Sequence, residues 1–269
     1  IFVKNKKYSI KRPYADEYER LKKLELPEKN FEKFVKLCEK HSITPMVTCF
    51  AREHVDKIYN HGFKHVKVAS YDCSSFQLIR GLCKKFKNIV VSTGATYDDE
   101  IKLSSEILKK NKINYALLHC VTIYPTSFKL LNLSRLNFLK KFTSEIGYSD
   151  HTPSFGHNKN LASLAAVYLG AKYVERHIRI YDQKHSKDGP VSILPSEISE
   201  IVMFSKLSNK EKKEYIFKKY KFNLKSLLGK EKRTLSEIEL LNRDYYKGRF
   251  SSKINNATRD IYNWEEIKI

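Results

Sequence analysis

The sequence predicts an α/β fold, a (β/α)8 barrel seen without its first two β/α units. Three observations carry that expectation. Short β-rich runs alternate with longer amphipathic stretches, and the strand starts recur roughly every 20 to 30 residues, as parallel β/α units require. No G-x-G-x-x-G follows any of these strands, so a dinucleotide-binding sheet lacks its fingerprint. Polar and ionisable residues gather at the C-terminal end of strand after strand, where a barrel carries its site.

The predicted strands are 45–49, 65–69, 88–92, 115–120, 146–149 and 172–175. Helical patterns cover 28–41, 52–60, 74–86, 98–110, 135–144 and 158–169, and another helix starts after Pro195. Six units can be counted where a barrel needs eight, so the first two are expected upstream of Ile1. The β/α rhythm ends at Ser205. The predicted organisation is therefore an incomplete synthase-sized barrel over 1–205 and a basic C-terminal extension over 206–269.

Composition narrows the function classes. A chain of 269 residues with 41% apolar residues can bury a real core. Its longest apolar run, 161–171, is too short to cross a bilayer. Five cysteines, an odd number without C-x-x-C, argue against a disulfide framework or a thiolate zinc site and fit a reducing cytoplasm. The formal charge of +21 would by itself suggest a nucleic-acid partner. The excess is mostly lysine spread along the chain, and no nucleic-acid motif accompanies it, so the expected partners are small anions and neither nucleic acid nor membrane.

The strand ends name the chemistry. Lys67 alternates with Val66 and Val68, so it shares a face with Ala69, with Ser70 at the strand's mouth. A lysine pointing inward needs an anion, either a protein carboxylate or a ligand. Ser92-Thr93-Gly94 offers hydroxyls and an approachable backbone, although S-T-G is also an ordinary turn. Next comes His119-Cys120-Val121-Thr122-Ile123-Tyr124-Pro125, with Thr122 and Tyr124 on one face. Cys120 reads as a small core residue and His119 as either a core or a site histidine. The last two strands end in Gly147-Tyr148-Ser149-Asp150-His151-Thr152 and Glu175-Arg176-His177. Two histidines at adjacent strand ends suit a metal with open positions for oxygen ligands, of the Mn2+ kind. Glu175 lies on the face of His177 as a candidate base, or as a salt-bridge partner.

These segments, in this order and spacing, resemble the sialic acid synthase family of N-acetylneuraminate, legionaminate and pseudaminate synthases, over roughly 18–198. The resemblance implies a transferase that condenses phosphoenolpyruvate with N-acetylmannosamine or a related amino sugar to a nine-carbon keto acid. It implies phosphoenolpyruvate contacts from Lys67, Ser70, Ser92, Thr122 and Ser149, sugar contacts from Tyr124 and Asp188, and metal ligation by His151 and His177. Asp72 stands where the family usually has Glu, and it joins Glu175 and His177 as the catalytic set. The implied ion is Mn2+, with Mg2+ or Co2+ as substitutes, and the implied assembly is a homodimer. The family's C-terminal antifreeze-like domain, which lends an Arg to the partner's sugar pocket, is absent or reduced, with Arg243 or Arg249 as stand-ins. Two other readings are weighed. One is a different phosphoenolpyruvate-dependent sugar-acid synthase. The other is a non-catalytic remnant that binds phosphorylated metabolites or a partner protein, which calorimetry showing binding without turnover would reveal.

Overall fold

The computed structural model describes residues 2–4, 7, 9–11, 14–221, 224–247, 250–253 and 258–266. Arg249 lies outside them. The chain divides into two compact units, one made of 1–115 with 235–269 and the other of 116–234.

The first unit opens with an antiparallel pair, β1 (Phe2–Lys4) and β2 (Ser9–Lys11), followed by helices Tyr14–Leu24 and Lys29–Lys40. Then come three parallel strands in chain order, β3 (Met46–Thr48), β4 (His65–Val68) and β5 (Asn88–Ser92). Each is followed by a helix, His54–Asn60, Phe76–Lys85 and Asp98–Lys110 respectively. Parallel strands need such crossovers. On β4, Val66 and Val68 are fully buried while His65 and Lys67 are half-buried, so the period of two separates an apolar face from a polar one. The apolar face continues in register, Val66 with Ile89 and Val68 with Val91. Leu78, Ile79 and Leu82 on one crossover helix and Ile101 and Leu108 on the next are all at 0% exposure.

The same unit takes up the end of the chain. Helix Glu237–Tyr246 packs against the β1–β2 pair, and Ser251–Ser252 forms a two-residue ladder with Ile261–Tyr262. Arg243 is buried there, with Nη1 donating to the Ala95 carbonyl (2.8 Å) and Nη2 to Glu100 (2.5 Å). Burial raises the Glu100 carboxyl, but the hydrogen bonds from Arg243 and the Tyr97 N–H, with the charges of Arg243 and Lys247, together outweigh it and hold Glu100 below the usual carboxylate range. Arg243 is thus committed to its own chain, which argues against its serving a partner's sugar pocket.

The second unit carries β6 (Asn114–His119, whose first two residues belong to the first unit), β7 (Ile146–Asp150) and β8 (Tyr173–Arg176), again parallel and in chain order. Helix Leu161–Tyr168 buries Leu161, Leu164 and three alanines completely, as its small residues foretell. Where the sequence predicts a helix over 135–144, the helix Arg135–Leu139 stops early. The chain tightens into three-residue turns (Phe142 N–H to Leu139 O), and Thr143 Oγ1 accepts the Glu145 N–H, a local bond that competes with helix continuation.

Beyond Ser205, helix Asn209–Tyr220 lies on helix Pro195–Ser205 through Glu200, whose Oε1 accepts from Tyr215 (3.0 Å), Lys219 (2.7 Å) and Tyr220 (2.7 Å). The same helix packs against helix Leu161–Tyr168 and buries only Ile216 and Tyr220 of its twelve residues, so its apolar face is narrow and the pattern fades in the sequence. The parts of the extension divide, with 206–234 in the second unit and 235–269 in the first.

Gly147 marks the closest strand approach. A Cβ there would lie 2.6 Å from the Tyr173 carbonyl oxygen and would also meet Leu118, on the strands that flank β7. Gly147→Ala should destabilise by about 3 kcal/mol, the upper end for overpacking because backbone must move. Urea denaturation would check this, and a loss below ~1 kcal/mol would show that the strands can part.

Candidate active site

The site residues of the second unit follow from the register of one ladder. Ser149 pairs with Glu175 and Asp150 with Arg176, so His151 and His177 are the next residues on β7 and β8. Alternation puts Ser149, His151, Glu175 and His177 on one face and Asp150 and Arg176 on the other.

On the first face, Ser149 Oγ donates to Glu175 Oε1 at 2.6 Å and lies 3.4 Å from His151 Nε2. His151 is 3% exposed, and its Nδ1 sits 2.8 Å from the Val121 carbonyl. A carbonyl can only accept, so the proton is on Nδ1 and Nε2 keeps its lone pair. Burial pushes the His151 pKa down to about 4, with the Val121 bond only partly opposing, so the ring is neutral at pH 7. His177 is less buried. Its ring centroid is 5.5 Å from that of His151, and its Nδ1 is 3.7 Å from Asp188 Oδ2. Tyr124, half-exposed, closes the cluster with ring centroids 4.1 Å from His151 and 6.0 Å from His177. Thr122 is buried at 1% exposure on the segment that ends in Tyr124.

On the opposite face, Asp150 and Arg176 form an ion pair at 2.8 Å with side chains 0% and 3% exposed. Asp150 Oδ1 also accepts from the Thr152 N–H (2.8 Å) and hydroxyl (2.7 Å), and Oδ2 from Ser163 (2.5 Å). The pair ties the two strand ends together one residue before each histidine.

His119 belongs to the core. It is 2% exposed, its Nε2 is 2.6 Å from the Leu131 carbonyl, and burial pushes its pKa down to about 3. Cys120 is a buried free thiol, as read from the sequence.

The first unit holds the other expected residues. Ser70 Oγ accepts the Gly94 N–H at 3.2 Å, and Thr96 Oγ1 bonds both the Ser70 and Gly94 carbonyls (3.1 and 3.0 Å). The S-T-G turn is therefore welded to the end of β4, and its Gly94 N–H already serves the protein. Ser92 Oγ is buried without a hydrogen-bond partner, which leaves a hydroxyl for a ligand or water. Lys67 is half-buried on the polar face of β4. Asp72 is 5% exposed, and its Oδ1 accepts from Ser75 (2.8 Å) and Asn263 (3.0 Å). Burial raises its pKa, and the two hydrogen bonds oppose that in part.

Among the described residues, no three His, Cys, Asp or Glu side chains come together as a metal cage. The two histidines still fit an ion of open coordination. One presents a fixed tautomer whose second nitrogen is held by a backbone carbonyl, the usual support for a histidine ligand.

The family model for the NeuB family matches residues 2–214. The chain belongs to the NeuB family. It is 33% identical over 202 residues to N,N'-diacetyllegionaminic acid synthase of Campylobacter jejuni, covering 73% of this chain and 59% of that one. It is 28% identical over 204 residues to human N-acetylneuraminate-9-phosphate synthase, covering 72% and 55%. The chain thus spans somewhat more than half the length of these relatives. Its fold resembles the spore coat polysaccharide biosynthesis protein spsE of Bacillus subtilis, with a TM-score of 0.70 at 22% identity over 82% of this chain and 61% of that one. It also resembles the N-acetylneuraminic acid synthetase of Leptospira borgpetersenii in complex with citrate, with a TM-score of 0.67 at 24% identity over 86% and 74%. These structures share its parallel α/β architecture. The described residues of this family member hold six parallel strands, two fewer than a closed eight-stranded barrel. No helix among them is long and apolar enough to cross a membrane.

Three contributors were missed in the sequence. The Val121 carbonyl is backbone and leaves no signal. Asn263 is 191 residues from Asp72 in sequence and sits in no motif. The Asp150–Arg176 pair had a signal: aligning S-D-H with E-R-H in parallel register puts Asp beside Arg.

Arg176→Met should cost about 3–5 kcal/mol of stability, because Asp150 would remain buried and unpaired. The double variant with Asp150→Leu should recover most of that loss in urea melts. Acid should also destabilise the fold. His119 and His151 are depressed from 6.5 to about 3 and about 4, so the unfolded chain binds more protons as pH falls from 6.5 toward 4. Stability should be full above that window and decline through it, and His119→Gln should flatten the decline in melts run across the range.

Proposed function

We propose that this chain carries the catalytic unit of a sugar-acid synthase that condenses phosphoenolpyruvate with N-acetylmannosamine or a related amino sugar. The observation that carries the reading is the His151–His177 pair with Ser149 and Glu175 on one face, in a chain of this family. Relatives named for legionaminic, pseudaminic and neuraminic acid products leave the class of acceptor as an N-acylated amino sugar.

In this reading His151 and His177 hold a divalent ion, Mn2+ first and Mg2+ or Co2+ as substitutes. Bound there, such an ion supplies a Lewis acid for the aldehyde oxygen of the open-chain sugar. C3 of phosphoenolpyruvate bonds to the aldehyde carbon, whose oxygen gains a proton. The oxygen of a water molecule adds at C2, and inorganic phosphate leaves as the C2–O bond to it breaks. Val121 fixes the His151 tautomer, and burial keeps the ring unprotonated near neutral pH, so it is a base or ligand without a competing proton. Glu175, oriented by the Ser149 hydroxyl, is the base for the incoming water. Tyr124 and Asp188, both half-exposed beside His177, suit the sugar hydroxyls. Thr122 in the second unit, and Lys67, Ser70 and Ser92 in the first, offer hydroxyls and one positive charge to anionic groups, while the Ser149 hydroxyl is given to Glu175. Asp72 is an acid–base group in the first unit. The family resemblance brings a homodimer with it, which light scattering would test.

Phosphate release should require phosphoenolpyruvate, a divalent metal and an N-acylated amino sugar together. No release across a panel of such sugars would end the reading. His151→Ala and His177→Ala should each reduce bound Mn2+ and lower turnover by more than the roughly 10- to 100-fold typical of groups that only support a ligand. Undiminished metal content in both variants would remove them as ligands.

A further inference from the structure

The end of the chain reaches a group assigned to the chemistry. Residues 235–269 lie beyond the stretch matched by the family, 2–214, and belong to the first unit. Helix Glu237–Tyr246 of this segment is seated by buried Leu241, Arg243 and Tyr245, whereas several of the polar contacts after it lie at the surface. Arg52 Nη2 donates to the Tyr262 carbonyl (2.7 Å), Lys253 N–H to Glu53 (2.8 Å), and Gln77 to Glu266 (3.4 Å). Asn263 differs, being 1% exposed. Its Nδ2 gives one hydrogen to the Phe50 carbonyl at 2.7 Å, just past β3, and the other to Asp72 Oδ1 at 3.0 Å, just past β4. Only this orientation of the amide can donate to two acceptors.

We propose that Asn263 is a positioning residue for Asp72, through which the C-terminal segment completes the strand-end chemistry of the first unit. The inference rests on the assignment of Asp72 as an acid–base group. Ser75 and Asn263 both donate to Oδ1, so an acid proton on Asp72 is confined to Oδ2. A carboxyl with one committed oxygen has a single direction for proton transfer, and that direction is set from the far end of the chain. Among the described residues, a titratable group that feels Asp72 is Cys49, after β3, which burial pushes up to about 12 and so keeps neutral. Ser75 and Asn263 do not titrate in the accessible range.

The test uses the full chain and two readouts. Asn263→Leu keeps the volume and the dryness but removes the donor. Carbon-13 NMR titration of the Asp72 carboxyl, identified by its loss in Asp72→Asn, should show the midpoint rising by about one pH unit, since the lost hydrogen bond favoured the ionised form. The acid limb of the kcat/KM profile should move up with it, and Asn263→Gln should restore part of the shift. Arg52→Ala, which loosens the segment without touching Asp72, should leave the midpoint in place. An unmoved midpoint in Asn263→Leu, or an equal shift in Arg52→Ala, would reduce Asn263 to a packing residue and overturn the proposal. If the midpoint moves while Asp72→Asn turns over like the unmodified chain, the assignment of Asp72 fails and the positioning role fails with it.

Discussion

The second unit depends on one buried ion pair. Asp150 and Arg176 carry opposite charges at 2.8 Å, and neither side chain is more than 3% exposed. Such a pair gains little net stability, because desolvating both charges offsets most of their attraction. Its effect is geometric. Asp150 has four protein donors, Arg176, the Thr152 amide and hydroxyl, and Ser163, which anchor it to β8, to its own turn and to helix Leu161–Tyr168. A hydrophobic pair of similar size could slide by a residue. A saturated carboxylate facing one guanidinium cannot, and a slip of one residue would turn both histidines to the wrong face.

The polar face makes the opposite compromise. Two of its bonds fix orientation more than they neutralise charge. The Val121 carbonyl takes the only proton of a neutral imidazole, and Ser149 spends its hydroxyl on Glu175. In the first unit the Ser92 hydroxyl is buried with no partner at all. Leaving such a group unsatisfied costs about 1–3 kcal/mol. At Ser92 a ligand atom or a water would relieve that cost.

Much of this was legible from the sequence because the parallel strands have a strict period. All six were found within a residue or two of their observed bounds, since buried Val66 and Val68 alternate with half-buried neighbours on β4 and Ile89, Val90 and Val91 are buried in succession on β5. The histidine pair was legible too, because two strand-end motifs place it by register alone. Helix Asn209–Tyr220 was not, because it buries only Ile216 and Tyr220 and adds the bonds to Glu200, too narrow an apolar stripe to show as a period. The commitment of Arg243 to Glu100 was equally hidden, being a contact across 143 residues between two otherwise ordinary charged side chains.

The same physics explains why the C-terminal segment can hold its place with so little core. Only Ser252, Ile261 and Asn263 of the described residues 250–266 are buried, so apolar area contributes little there. What remains is directional bonding, and its energy is modest per bond in water but larger where water is excluded. Among the described residues 250–266, Asn263 is the one side-chain donor that is both buried and doubly engaged. Its removal would take a donor from the Phe50 carbonyl and leave Asp72 Oδ1 with Ser75 alone, a loss the exposed contacts at Arg52 and Gln77 are too solvated to make up. The segment is therefore fixed by polar complementarity to the strand ends rather than by a hydrophobic interface. A docking mode of that kind ties the order of the tail to the protonation and geometry of the carboxyl it touches.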